Sequence, residues 1–302
     1  MQINQLPSLK TIGTVLKNAA ANLVKSDPLR IAAATAFFGT FAIPAILVVI
    51  LQIFGTFLNQ QKFSTSIISK LKEIIGKNSA LEIKQILLNL MEIGDNWFFA
   101  ILMFVFLVFV STTLFIIIRN SINQIWSIQL NEGYGVYFNL KQRLKSLGII
   151  TIGGILLFIA FAFEGVRIFL ENKVENNIPI LDGFISEVIF FVSTTLWFSI
   201  TFKFSGNAKP GWRAVLISAT FTGILLTIGK LVMRTLLLNS NINAIYGASG
   251  AILLVMLFIF YSAFIFYYGV SLVNAVSNHL KQPIVATVHA HKFRTEAIKV
   301  ED

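Results

Sequence analysis

The chain has 302 residues, 56% of them hydrophobic and only 13% charged, and its mean hydropathy is +0.77. A soluble protein of this size needs a more polar surface, so these values exclude an ordinary soluble domain and indicate a chain surrounded largely by lipid. The net charge of +10 therefore reports membrane topology rather than a nucleic-acid partner, and the absence of cysteine excludes disulfides and catalytic thiolates.

Residues 1–30 are predicted to form a cytoplasmic amphipathic segment. They do not resemble a signal peptide, because no short apolar core follows a basic start. Apolar residues recur at helical spacing, with lysines off the stripe they form: Leu9, Ile12, Leu16, Ala19 and Leu23. A helix of this kind either lies on an anionic membrane surface or packs against the rest of the protein, and both interpretations remain open.

Six stretches reach the roughly 20 apolar residues that a spanning helix needs: 31–57, 97–118, 147–170, 183–202, 212–233 and 249–274. They predict an all-α membrane domain over residues 31–278, a bundle of six transmembrane helices with amphipathic interfacial helices, followed by a cytoplasmic tail at 279–302. Asp27 and Pro28 are a typical cap and first residue for the first span. Pro44 predicts a kink or tilt within it.

Residues 63–92, between the first two spans, are predicted to form a helical hairpin on the outer face. Two apolar stripes at helical spacing run through this segment, and Ser79 with Glu82 makes a capping box before the second. The hairpin is a candidate lid, a candidate partner surface or simply packing.

The basic residues predict the orientation of the chain. Most of the 24 lysines and arginines lie in the N-terminal segment, the loops after the second and fourth spans, and the tail. By the positive-inside rule, both termini are expected in the cytoplasm. Arg119, which follows the second span, is interpreted as an interfacial anchor near lipid headgroups.

Charged residues inside spans are candidates for function, because burying a charge in the bilayer costs about 2.5 to 3.5 kcal/mol on insertion scales. Four such residues, with Arg234 just beyond the end of the fifth span, gather toward the outer halves of spans three to five, where they would line one outward-facing polar cavity: Glu164, Arg167, Glu187, Lys230 and Arg234. The alternative is that these side chains reach the nearby interface or form structural pairs.

Hydroxyl groups lie deeper in the second and fourth spans, and the candidates are Ser111, Thr113, Ser193 and Thr194. They would either contact a substrate or bond to neighbouring backbone. No catalytic motif is found, and the three histidines, His279, His289 and His291, fall in the predicted solvated tail. We therefore expect no enzymatic activity, no metal and no cofactor.

Several segments resemble the YihY/BrkB family of bacterial inner-membrane proteins, which once carried a ribonuclease label. The resemblance rests on RIAAATAFFGTFAIP, NQIW, KQRLKSL, PGWRA, IGK, NSNINAIYGASGA and YSAFIFYYG, in this order along nearly the whole chain. These segments contain the motif residues Pro44, Asn123, Trp126, Tyr246, Gly247 and Gly269. In one departure, Ser271 stands where the family commonly has an acidic residue.

The resemblance implies a multi-pass protein of the bacterial inner membrane. Together with the charged residues in the spans, it favours a transporter or translocase of a lipid or an envelope-related solute. A non-transporting envelope scaffold is the alternative, and a ribonuclease is a remote one, because the histidine and aspartate cluster for zinc-dependent RNA cleavage is missing. Membrane lipids, an envelope protein or a second copy of the chain are the expected partners, and no nucleic acid is expected.

Overall fold

The computed structural model describes residues 9–55, 97–131, 179–238 and 249–293, with isolated positions between 68 and 88 and between 144 and 156. Within these ranges the elements in chain order are α1 (Leu9–Val24), α2 (Pro28–Gly55), α3 (Trp97–Ile125), β1 (Ile128–Leu130), α4 (Pro179–Phe204), β2 (Ala208–Lys209), α5 (Trp212–Leu238), α6 (Ser249–His279), β3 (Val285–Ala286) and β4 (Ala290–Lys292). The described chain is thus mostly helical, as predicted.

The start of α2 agrees with the prediction from sequence. Pro28 is its first residue, where the missing backbone N–H costs no helical bond. The carbonyl of Asp27 accepts the first bond, from the N–H of Ile31 at 3.2 Å, and Asp27 itself has a φ of 52°. The helix continues as one element through Pro44.

Five of the six predicted spans coincide with α2 to α6. Among the described residues, four stretches are long and apolar enough to cross a membrane: Val108–Ile125, Glu187–Phe204, Trp212–Val232 and Ile252–His279. The predicted third span at 147–170 and the 63–92 hairpin lie mostly outside the described residues, although Ile68, Ala80 and Ile83 of the hairpin are buried.

Helix α6 lies at the centre of the bundle. It packs against α1, α2 and α5 and also contacts α3 and α4, while α2 packs against α3 and α4 against α5. The shared core is rich in aromatic rings, with Phe198 and Phe202 of α4 stacking near Phe266 of α6. Because α6 contacts every other described helix, it fixes their relative positions.

Helix α1 packs against the protein, which decides between the two interpretations of its apolar stripe. Ala19 and Leu23 are buried, and the Ser271 hydroxyl of α6 donates to the Ala19 carbonyl at 2.7 Å. The phenol of Tyr268 likewise donates to the Leu16 carbonyl at 3.2 Å. Ile12, nearer the start of the stripe, remains exposed.

Two small antiparallel sheets lie at one end of the bundle, where they join the segments that connect the helices to the segment after α6. β1, after α3, pairs with β4, and β2, between α4 and α5, pairs with β3. We call this the sheet end; α2 and α5 begin there, and α3, α4 and α6 end there. Residues 285–292 of the predicted solvated tail are therefore tied to two loops by backbone hydrogen bonds.

Candidate functional site

An ion pair joins α4 and α5 in the half of the bundle away from the sheet end. The Lys230 ammonium donates to both carboxylate oxygens of Glu187 at 2.6 Å and lies 4.4 Å from the centre of the Phe190 ring. The Lys230 side chain is only 13% exposed, whereas that of Glu187 is 46% exposed. Lys230 is thus the deeper charge and depends on Glu187 and Phe190 for stabilisation.

A close approach of α4 and α5 brings this pair together. A Cβ atom placed on Gly223 would lie 2.5 Å from the Thr195 hydroxyl and 3.2 Å from the Phe191 ring. Glycine at this position lets the two helices pack with little space between their backbones, as small residues commonly do in membrane bundles. The short separation keeps Lys230 within reach of a carboxylate on the neighbouring helix.

Of the five charged residues predicted to share a cavity, the structure brings Glu187 and Lys230 together. Glu164 and Arg167 lie outside the described residues, as does the side chain of Arg234. The described part of the chain therefore supports one ion pair, and the larger charged cavity stays a prediction.

A cavity of about 200 Å³ lies inside the bundle, with all five helices from α2 to α6 contributing to its wall. Its wall is predominantly apolar, and it includes Leu114, Ile118, Trp197, Phe198, Leu226 and Phe266. Leu226 and Lys230 are four residues apart on α5, so they share a helix face about 6 Å apart along the axis. The ion pair is therefore about one turn from the cavity, on the side away from the sheet end.

Two hydroxyl-bearing residues interrupt this apolar wall. Thr35 donates to the Ile31 carbonyl at 2.8 Å and, having used its proton, accepts from the Tyr267 phenol at 2.6 Å. The Ser262 hydroxyl oxygen is fully buried and has no hydrogen-bond partner among the described residues, so it presents no polar surface to the cavity. The sequence offered one signal for these residues, namely single polar groups within apolar helices.

A network of buried hydrogen bonds connects the helices between the cavity and the sheet end. The Trp126 indole donates to the Val270 carbonyl at 2.9 Å, and the Asn123 side chain accepts from the Asn207 backbone at 2.8 Å. Arg119 is 5% exposed and donates to the Ser205 carbonyl at 3.2 Å. The interpretation of Arg119 as an anchor facing lipid headgroups is therefore wrong, because its guanidinium holds the loop after α4 inside the protein.

Three of the motif residues make contacts between helices. Asn123 and Trp126 form two of the hydrogen bonds of this network. Gly269 allows α5 and α6 to pack closely, since a Cβ atom there would collide with the Thr222 hydroxyl of α5 and lie 2.8 Å from the Phe202 ring. Ser271, at the position of the usual acidic residue, bonds to Ala19 and to the Asn22 carboxamide. Tyr246 and Gly247 lie outside the described residues, as does the side chain of Pro44.

The predicted mid-membrane hydroxyls lie on α3 and α4. Thr113 donates to the Phe109 carbonyl of its own helix at 2.7 Å, and Ser111 is buried on α3. Ser193 and Thr194 are partly exposed on α4. Thr113 shows the backbone bonding that such groups usually make.

No group of three or more potential metal ligands occurs among the described residues. His291 in β4 shares a 2.7 Å hydrogen bond with the Asn131 side chain beyond β1, and His279 ends α6. These histidines belong to the tail pairing and the end of α6.

The family model described as "Virulence factor BrkB" matches residues 19–292, which include α2 to α6 and all four strands. No curated protein and no solved structure matches the chain.

Proposed function

This chain belongs to the virulence factor BrkB family, and from that premise we propose that it is a transporter or translocase of a lipid or an envelope-related solute. We further propose that it has six transmembrane helices, the third at 147–170, and that it lies in the bacterial inner membrane with both termini in the cytoplasm. Membrane lipids are its proposed partners, with an envelope protein or a second copy of the chain as further candidates.

The observation that carries the proposal is the Glu187–Lys230 ion pair beside an apolar cavity. Ionisable groups within membrane helices are costly, and substrate and ion pathways are among the functions that they mark. A charged pair about one turn from an apolar cavity matches a substrate with a polar head and an apolar part. Such an amphiphile would place its head against the Glu187–Lys230 pair and its apolar part against Leu226, Trp197 and Phe266.

The distribution of charge supports the proposed orientation. Among the described residues, the sheet end carries many basic groups and the single acid Asp27; the basic groups are Lys10, Lys17, Lys25, Arg30, Arg119, Lys203, Lys209, Arg213, Lys281 and Lys292. Lysine and arginine accumulate on the cytoplasmic side of membrane proteins. The sheet end is accordingly the proposed cytoplasmic end, and the ion pair faces the outer leaflet.

The test is lipid translocation in vesicles that contain the purified protein. We expect Glu187→Gln and Lys230→Met each to slow the transfer of a fluorescently labelled phospholipid between leaflets at least tenfold. Lys84→Met, which removes an exposed charge from the 63–92 segment, is the matched control and should retain the wild-type rate. Equal rates in protein-containing and protein-free vesicles, across several headgroups, would refute the lipid translocase.

A second candidate function is a scaffold without transport. Leu81 and Leu88 are exposed apolar residues seven positions apart in the 63–92 segment, a spacing that a continuous helix would bring to one face. This face would suit an envelope protein as partner. Photo-crosslinking from position 81 in native membranes should give a stoichiometric adduct if the scaffold is correct, and no discrete adduct if it is not.

We also propose that the chain is not an enzyme, with the ribonuclease label as the remote alternative. Hydrolysis of RNA by a purified sample, lost on joint replacement of His289 and His291, would contradict this proposal.

A further inference from the structure

A second cavity, of about 380 Å³, opens between α1 and the last turns of α6 at the sheet end. We call it the amide groove, because its lining includes the four asparagines Asn18, Asn22, Asn274 and Asn278, together with His279. Ligand pockets in proteins commonly measure about 300 to 1,000 Å³. The groove is therefore large enough for a small polar ligand.

Helical periodicity builds the two walls of the groove. Asn18 and Asn22 are four residues apart on α1, and Asn274 and Asn278 are four apart on α6, so each pair shares one helix face. The Asn22 carboxamide donates to the Ile125 carbonyl and the Ser271 hydroxyl, both at 3.2 Å, and so fixes the inner part of the α1 wall. Asn18 and Asn278 are exposed at the opening.

The lining selects for a particular chemistry. Carboxamides offer both donors and acceptors at neutral charge, which suits hydroxyl groups and phosphate esters. Neither α1 nor α6 contains an acidic residue, so nothing on these walls favours a metal cation. His279 lies in the lining, and the exposed Lys10 and Lys17 are next in sequence to the groove residues Thr11 and Asn18 without lining the groove themselves, so the basic groups in this region favour an anionic ligand over a cationic one.

The position of the groove relative to the membrane further narrows the class of ligand that can reach it. His279 is the last residue of the 28-residue span candidate Ile252–His279, which is longer than the roughly 20 residues that cross the hydrocarbon layer, so we infer that the groove lies at the depth of the headgroups. Polar groups at this depth meet lipid headgroups, and lysines beside them attract anionic ones.

From these observations we propose that the amide groove binds an anionic phosphoglycerol group, with the asparagines bonding the glycerol hydroxyls and His279 donating to the phosphate. The group can come from phosphatidylglycerol in the membrane or from free glycerol phosphate. This site is separate from the Glu187–Lys230 pair and stands whether or not the protein transports lipid.

The experiment compares lipids bound to the full-length protein by native mass spectrometry. Phosphatidylglycerol is compared with phosphatidic acid, which is also anionic but lacks the glycerol headgroup. We expect a clear preference for phosphatidylglycerol and about a tenfold loss of affinity in the variant Asn18→Leu/Asn278→Leu, since two hydrogen-bonding groups are removed. Gln129→Leu, which replaces the exposed amide of β1, is the matched control and should bind as the wild type does.

Free glycerol 3-phosphate separates the two sources. If it displaces phosphatidylglycerol, the groove recognises the soluble group; if it does not, the lipid is the ligand, and either result supports the site. Both asparagines are exposed, so the variant should keep the wild-type melting temperature, and Asn18→Ala serves as a milder second variant. Equal binding of both lipids, or binding unchanged in both variants, would overturn the proposal.

Discussion

The indole N–H of Trp126, just beyond the end of α3, donates a 2.9 Å hydrogen bond to the backbone carbonyl of Val270 in the middle of α6. Both residues are buried, with 2% and 0% of their surface exposed. A helix carbonyl normally accepts from the amide four residues later, so this bond uses its second lone pair and ties two helices together.

Trp126→Phe should destabilise the protein by about 1 to 3 kcal/mol, because it removes a buried donor and leaves space where the larger ring was. Thermal unfolding in detergent, followed by tryptophan-independent light scattering, would measure the loss. Trp212→Phe is the matched control: Trp212 is largely exposed and contacts Lys203 and Phe204 through its ring, which phenylalanine preserves in part. A similar loss in both variants would show that the Val270 bond contributes nothing of its own.

Gly269→Ala should destabilise the bundle by roughly 1 to 3 kcal/mol, the usual cost of overpacking a core. The added methyl group would press against the Thr222 hydroxyl and the Phe202 ring, both of which are buried. The measurement is the unfolding midpoint in detergent.

Gly13→Ala is its control, since a Cβ atom at Gly13 meets nothing within 4 Å. Alanine is favoured over glycine inside a helix by roughly 0.5 to 1 kcal/mol, so this variant should be slightly more stable than the wild type. If Gly269→Ala were tolerated as well as Gly13→Ala, the close contact of α5 and α6 would be disproved.

The two halves of the ion pair should respond unequally to removal. Glu187→Gln leaves the deeper Lys230 charge without its carboxylate and should cost about 1 to 3 kcal/mol. Lys230→Met leaves the Glu187 carboxylate unpaired. Because Glu187 lies in the first half of α4 and is more exposed than Lys230, this variant should lose less than about 1 kcal/mol of unfolding free energy.

The double variant Glu187→Gln/Lys230→Met provides the check, because it removes both charges. Its stability should recover most of the loss seen in Glu187→Gln, giving a coupling energy that a double-mutant cycle measures. Strictly additive losses would mean that the two side chains do not interact in the folded protein.

The pairing of the tail can be tested by disulfide formation, since the chain has no cysteine of its own. Gln129 in β1 is the register partner of His291 in β4, and Lys209 in β2 is the partner of Val285 in β3. Directly opposed residues of antiparallel strands lie about 4.5 to 5.5 Å apart at Cα, within the range for a disulfide.

Gln129→Cys/His291→Cys and Lys209→Cys/Val285→Cys should therefore crosslink on mild oxidation, as detected by peptide mass spectrometry. The exchanged pairs Gln129→Cys/Val285→Cys and Lys209→Cys/His291→Cys combine strands from different sheets and should crosslink far less. Equal yields in all four variants would contradict the sheet arrangement.

The sequence predicts the long helices well, because an apolar stretch of sufficient length has few alternatives in a membrane. Pro28 likewise marks the first residue of α2 through a local rule. Helix α1 was predictable as a helix but not in its placement, since the stripe of Leu16, Ala19 and Leu23 fits a membrane surface and a protein surface equally well. Only the carbonyl contacts from Tyr268 and Ser271 decide it.

Contacts between distant residues could not be derived from local patterns. Glu187 and Lys230 were both candidates by their charge, but nothing in the periodicity of either helix says that they face each other across 43 residues of sequence. The four strands have only two or three residues each, too short for an alternating pattern to identify them. The interpretation of Arg119 as an interfacial anchor is wrong for a related reason: the carbonyl to which it donates belongs to a residue 86 positions away in sequence.

The central position of α6 has a consequence for the time course of synthesis. Ser271 and its partner Ala19 are 252 residues apart, and translation at about 5 to 20 residues per second separates their appearance by roughly 13 to 50 s. During that interval the apolar face of α1 has no α6 to cover it, and the adjacent membrane surface is the available place to bury it. During synthesis, the chain should thus pass through a state in which α1 lies on the membrane surface, before α6 is made and α1 packs against it.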